Sequence, residues 1–102
     1  MDLLPDNLRR QLPALYSQSN LKTEDKLIHL KYIFPMGRWT WYVIEGSPQD
    51  DDFLFYGFVI GLSEEWRYFT LSQLEQIDVC GVRVERDDTF TPVPFSKIAN
   101  PS

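Results

Sequence analysis

One cysteine, one histidine and five glycines are all that 102 residues hold of three residue types on which much protein chemistry depends. With Cys80 alone, no disulfide can close within the chain and no cysteine-based zinc cluster can be built. His29 has neither a nucleophile nor an orienting partner at a recognisable spacing, and Cys80 has no base to activate it. The glycines form no phosphate-binding loop, and paired zinc-ligand motifs and a nucleophile elbow are missing. No apolar run approaches the roughly 20 residues that span a bilayer. The opening residues, Met1 to Asp6, lack a basic stretch followed by an apolar one, so no signal peptide is expected. The expectation is a soluble, cytoplasmic protein with no membrane partner and no cofactor.

Positive charge is scarce as well. Ten Lys/Arg face fifteen Asp/Glu, for a net charge of −5. Residues 1–40 carry six Lys/Arg and four Asp/Glu (+2), whereas residues 41–102 carry four and eleven (−7). An acidic C-terminal part opposes attraction to nucleic-acid phosphate or anionic lipid. It favours a basic protein partner, or simply solubility.

Apolar residues, by contrast, are plentiful: 43% of the chain, with 3 Trp, 5 Tyr and 7 Phe. That suffices for one packed core, and the length fits a single domain, 1–102. The runs Arg38–Glu45 and Phe53–Ile60 are aromatic on both faces and read as neighbouring central strands. Between them Gly46 to Asp52 reads as an acidic connecting loop. A first strand is predicted over Leu27–Phe34, with Ile28, Leu30, Tyr32 and Phe34 on one face. Trp66–Phe69 and Val82–Asp87 complete a sheet, the latter as an edge strand. Gly57 leaves a gap where an aromatic neighbour or another backbone can approach.

Two short helices are expected. Leu4, Leu8 and Leu12 give an apolar stripe, opened by Pro5 and limited by Pro13. Thr70 with Gln73 makes a capping box that starts a helix over 70–77. Ser17–Lys26 reads as a polar surface loop, and the segment around Pro92 and Pro94 as an irregular tail packed by Phe90, Val93, Phe95 and Ile98. The fold class is α+β: an antiparallel meander sheet of four or five strands with two helices packed on it.

Three constellations carry possible chemistry. Glu45 and Asp52, brought together across the hairpin, could hold a hard cation or act as an acid–base pair in a metal-assisted hydrolase. The preferred reading of these residues is the plainer one, a solvated turn whose Gly, Ser, Pro and Asp residues serve backbone geometry. Trp39, Trp41, Tyr42, Phe55, Tyr56, Trp66 and Tyr68 could stack single-stranded nucleic acid, although the positive track of such sites is lacking. Asp50, Asp51, Asp52, Glu64, Glu65, Glu85, Asp87 and Asp88 form the third group, read as an outward-facing acidic contact surface. On a strand, Glu85 and Asp87 project about 6–7 Å apart, comparable to phosphate spacing. No residue is assigned as catalytic and none as a metal ligand.

Leu3-Leu4-Pro5, Trp39-Thr40-Trp41-Tyr42, Glu45-Gly46-Ser47-Pro48, Asp52 to Gly57 and Trp66 to Leu74 resemble a family of small single-domain bacterial proteins of unknown function. Val84 to Asp87, with the Phe90 and Pro92 tail, is similar too. The resemblance implies an association with conjugative plasmids, integrative elements and phage-like DNA, and supplies no catalytic residues. It implies a non-catalytic protein-binding module of a mobile genetic element, an anti-CRISPR or antirestriction inhibitor. Its partner would be a host nuclease or CRISPR effector with a basic groove, bound without direct contact to nucleic acid.

Overall fold

A computed structural model describes residues 1–99. The elements, in chain order, are α1 (Asp6–Gln11), a 3-10 turn (Thr23–Asp25), β1 (Leu27–Ile28), β2 (Leu30–Phe34), β3 (Trp39–Gln49), β4 (Asp52–Ile60), β5 (Glu64–Thr70), α2 (Leu71–Glu75), β6 (Asp78–Val79), β7 (Val82–Arg83), β8 (Glu85–Arg86), β9 (Val93–Pro94) and α3 (Ser96–Ala99). Strands β2 to β5 form an antiparallel meander, and β8 adds to its first edge, giving the order β5-β4-β3-β2-β8. The α+β expectation is met.

Because both faces of β3 and β4 are apolar, the sheet is sandwiched. On one side, the helix face, Leu30, Tyr32, Trp41, Val43, Phe53, Phe55, Val59 and Phe69 pack beneath Leu3, Leu4, Leu12, Leu74 and Val84. Buried apolar area at about 25 cal/mol per Å² makes this cluster the main source of stability. The opposite side, the loop face, holds a smaller cluster of Ile28, Ile44 and Phe95, with Tyr42, Tyr56, Phe58, Trp66, Phe90 and Ile98 against it. Thr70 caps α2: its hydroxyl accepts from the Gln73 N–H at 3.2 Å, and the Gln73 side chain accepts from the Thr70 N–H at 2.9 Å.

Four local expectations need correction. The predicted first strand is broken at His29: Leu27–Ile28 pairs with Val93–Pro94, while Leu30–Phe34 pairs with β3. Ile28 therefore packs on the loop face, whereas Leu30 and Tyr32 pack on the helix face. The segment 46–49 is not loop but strand, paired in register to Gln49↔Asp52, so the connecting turn is only Asp50–Asp51. The predicted edge strand 82–87 divides into β7, which pairs with β6, and β8, which pairs with β2, with Val84 buried between them. The tail is partly strand, since β9 pairs with β1.

The decisive irregularity is in β3. Val43 opposes Gly57 and Glu45 opposes Tyr56, so Ile44 is an extra residue, a β-bulge. Without it, alternation would aim Glu45 into the helix-face core. With it, Ile44 and Glu45 both turn to the loop face, and Gly46 turns to the helix face against Phe53 and Leu12.

Candidate interaction surface

Glu45 is 3% exposed, and neither of its oxygens is free. One accepts from the Tyr16 N–H at 2.8 Å and the other from the Gln18 N–H at 2.8 Å. Gln18, 7% exposed, continues the network: its amide nitrogen donates to the carbonyls of Leu27 and Ile44, and its amide oxygen accepts from the Leu27 N–H at 2.7 Å. Lys26 donates to the Gln18 carbonyl. The polar segment 13–26 is thus tied to the sheet by two buried side chains, and every polar atom in the knot is satisfied. A lone Gln in a polar stretch carries no sequence signal for this role. The signal that was available, an acid amid apolar β3 residues, reads equally well as a ligand.

Asp52 is occupied elsewhere. Its carboxylate accepts from the N–H groups of Phe53 and Ser72 and from the Ser72 hydroxyl at 2.5 Å, anchoring the start of α2. The Ser72 hydroxyl and these N–H groups hold its carboxyl below the usual range. Glu45 opposes Tyr56, four strand residues from Asp52, a separation of roughly 13 Å. The two carboxylates do not converge. Among the described residues no three His, Cys, Asp or Glu side chains group as metal ligands. Cys80 is exposed, in the β6–β7 turn.

The aromatic set is divided between faces. Trp39, Trp41 and Phe55 belong to the helix-face cluster, with Trp39 and Trp41 stacked at 5.9 Å. On the loop face Tyr56 packs between Trp66 (5.7 Å) and Tyr68 (4.7 Å), and Phe95 lies over Trp66 at 5.0 Å. Tyr68 and Tyr16 are the exposed ends of this ladder, their hydroxyls 3.4 Å apart. That contact, with some desolvation, pushes the Tyr68 phenol up to about 12.

The acidic residues fall into separate groups. Asp50 and Asp51 cap the β3–β4 end of the sheet. Glu64 and Glu65 begin β5 at the other end, roughly 26 Å away along β4. Glu65 turns to the helix face, where it pairs with Arg67 at 3.4 Å. Strand register nevertheless unites the remaining ones. Glu64 opposes Ile60, Ile60 opposes Thr40, Thr40 opposes Ile33, and Ile33 opposes Glu85. Residues opposed across a sheet point to the same side. Glu64 and Glu85 therefore flank one cross-sheet row on the loop face, about 19 Å apart, with Ile60, Thr40 and Ile33 half-buried between them.

One row inward, Asp87 lies beside Lys31 at 4.0 Å, and Thr89 donates to it twice. Those Thr89 bonds, aided by Lys31, hold its carboxyl low. Asp88 follows, exposed. The flanking turns add Met36 and Leu62, the latter 98% exposed.

Next to this edge a cleft of about 320 Å³ opens between α1, β2 and the 86–92 segment, with Asn7, Gln11, His29, Arg86, Asp87 and Asp88 among its walls. Burial lowers the His29 pKa, so the imidazole is neutral at neutral pH. Asp87 is engaged by Thr89 and Lys31, and Arg86 donates to the Asp2 carbonyl, while the exposed Asp88 shares the cleft wall with His29. Desolvation of His29 has a consequence for stability. The unfolded chain binds a proton near pH 6.5 that the folded chain resists, so stability is highest above 6.5 and falls as pH drops toward the lower folded value. Asp52 and Asp87 extend the loss below about pH 3.8, their ordinary value. Thermal melting from pH 7.5 to 5 should decline for the native chain and flatten for His29→Gln. Parallel declines in both would exclude His29 as the source.

No helix among the described residues is long and apolar enough to cross a membrane. Neither a curated protein nor a solved structure matches the chain. A family described as "Protein of unknown function (DUF2958)" matches residues 3–100. The resemblance read from the Trp39–Tyr42 and Glu45–Pro48 segments is thereby met at the level of a domain of unknown function, and the chain belongs to the DUF2958 family.

Proposed function

We propose that this chain is a protein-binding module with no catalysis of its own, docking the loop face of its Glu64–Glu85 row onto a basic groove of a partner protein. The row itself carries the reading: a half-buried apolar centre of Ile33 and Ile60 lies between carboxylates at both edges, with Leu62 and Met36 beside it. Interfaces of this anatomy take residence time from the apolar centre, and encounter rate and partner choice from the charged rim. Lys31 offsets part of the rim's charge, leaving Glu64, Glu85 and Asp88 as the uncompensated acids. Asp50, Asp51, Asp52 and Glu65 lie outside this surface and have no part in the contact.

The finer reading follows from the resemblance to proteins of mobile DNA. The basic groove is that of a host nuclease or CRISPR effector, and the module inhibits it by occupying the place of nucleic acid. Glu85 and Asp87, alternate residues on one face, match the phosphate repeat of a strand at about 6–7 Å, although Asp87 is already partnered by Lys31 and Thr89. A column carrying the native chain should retain a basic protein from bacterial lysate at low salt and release it as salt rises. Joint reversal of Glu64, Glu85 and Asp88 to Lys should weaken binding about 100-fold, roughly 3 kcal/mol. Reversal of Asp50 and Asp51 should leave it unchanged. Retention indifferent to salt and to the triple reversal would reject the surface.

A further inference from the structure

The two edges of the sheet are treated differently. At one, β8 is only two residues long, and its Arg86 N–H and guanidinium are occupied by Met1 and Asp2. Short strands and covering segments of this kind are how proteins close off a sheet edge. At the other, β5 offers seven residues, contains no proline, and pairs with β4 without a bulge from Ile60↔Glu64 to Leu54↔Thr70. Among the described residues no strand pairs with its outer side. Glu64, Glu65, Arg67 and Tyr68 are exposed along it.

We propose that β5 pairs antiparallel with β5 of a second copy of this chain, joining two five-stranded sheets into one of ten strands. Strand register decides this pairing, which is independent of the proposed partner surface. A two-fold axis perpendicular to the sheet opposes residues of the same face only. Centred on Arg67, it would set two guanidinium groups against each other. Centred on Glu65, it would set two carboxylates against each other and shorten the overlap.

Centred on Trp66, every pair is favourable. Glu65 opposes Arg67 of the partner subunit, and Arg67 opposes Glu65 of the partner subunit, so two reciprocal ion pairs form. Within one chain these side chains already lie 3.4 Å apart. The dimer would close them into a ring of four alternating charges. On the loop face Trp66 meets Trp66 of the partner subunit, and Glu64 meets Tyr68 of the partner subunit. This continues the ladder that Tyr56, Trp66 and Tyr68 build within each chain.

Charge complementation tests this register. In sedimentation equilibrium the native chain should shift from 12.0 kDa toward twice that mass as concentration rises. Glu65→Arg and Arg67→Glu should each remain at the monomer mass, because each opposes like charges across the axis. An equimolar mixture of the two should regain the dimer mass. One chain then presents arginine at both positions and the other glutamate at both, so every pair across the axis is of opposite charge, although neither chain retains its internal ion pair. Both side chains are about half exposed, so the fold should survive, as near-ultraviolet circular dichroism would show. Independently, amide exchange along β5 should slow as the native chain is concentrated. A native chain monomeric at several hundred micromolar, single variants that still dimerise, or a mixture that stays monomeric would each overturn the proposal.

Discussion

Glu45→Ala should lower stability by about 3–5 kcal/mol, and Glu45→Gln by nearly as much. Each oxygen of the native carboxylate accepts from a different backbone N–H, those of Tyr16 and Gln18, at a site 3% exposed. Hydrogen bonds to a charged group contribute about 1.5–3 kcal/mol each, and a buried donor left without a partner costs about 1–3 kcal/mol. Relief from burying a charge returns part of this, which keeps the total well under the sum. Glutamine does not rescue the site, because its NH2 group would confront one of the two N–H donors and only one bond could survive. Tyr16 tempers the effect: its φ of 71° is left-handed backbone, disfavoured by roughly 1–2 kcal/mol and held here by the bond from its own N–H to Glu45, so loss of the anchor releases that strain. With the anchor gone, segment 13–26 should detach and expose Ile28 and Ile44. At about 4–8 °C per kcal/mol for a chain of this size, thermal melting should move down by more than about 12 °C. A shift below about 4 °C for both variants would show that the knot is not what fastens this segment.

Wherever apolar spacing and cap chemistry decide structure, the sequence was readable. The Leu4–Leu8–Leu12 stripe, the Thr70–Gln73 box and the doubly apolar strands each specify a local state that packing then reinforces. What escaped depends on contacts far apart in the chain. Alternation along Leu27–Phe34 is unbroken by residue type. The break at His29 arises because Ile28 is drawn to β9 and the loop-face cluster while Leu30 pairs with Val43. The bulge at Ile44 is equally silent, since Val43, Ile44 and Glu45 read as ordinary alternation. Only the need of the Tyr16 and Gln18 N–H groups for a buried acceptor explains why Glu45 must turn. Acidity alone identified candidate contact residues, but their grouping comes from register, which unites Glu64 with Glu85 and separates both from Asp50.

Gly57→Ala should cost about 3 kcal/mol or more, and Gly57→Val should leave little folded protein at 37 °C. A Cβ at this position would overlap the Tyr42 carbonyl oxygen and approach the Tyr42 carbonyl carbon to 2.9 Å and the Val43 Cα to 3.0 Å. All three are backbone atoms of β3, so no side chain can rotate aside. Accommodation requires β3 and β4 to separate where they pair, one residue from the bulge that orients Glu45. Ordinary overpacking against side chains costs about 1–3 kcal/mol, and a backbone clash should lie at or above that upper end. Other glycines provide the contrast. At Gly37 an added Cβ meets only the side chains of Phe34 and Trp39, at 3.2 Å. At Gly81 it meets nothing, so the φ of +85° alone penalises alanine, by roughly 1–2 kcal/mol. Urea denaturation should therefore order the three alanine variants with Gly57→Ala far below Gly81→Ala and Gly37→Ala. Equal losses at all three would mean that β3 and β4 are not pressed together at Tyr42, and the bulge would then have no fixed position from which to aim Glu45.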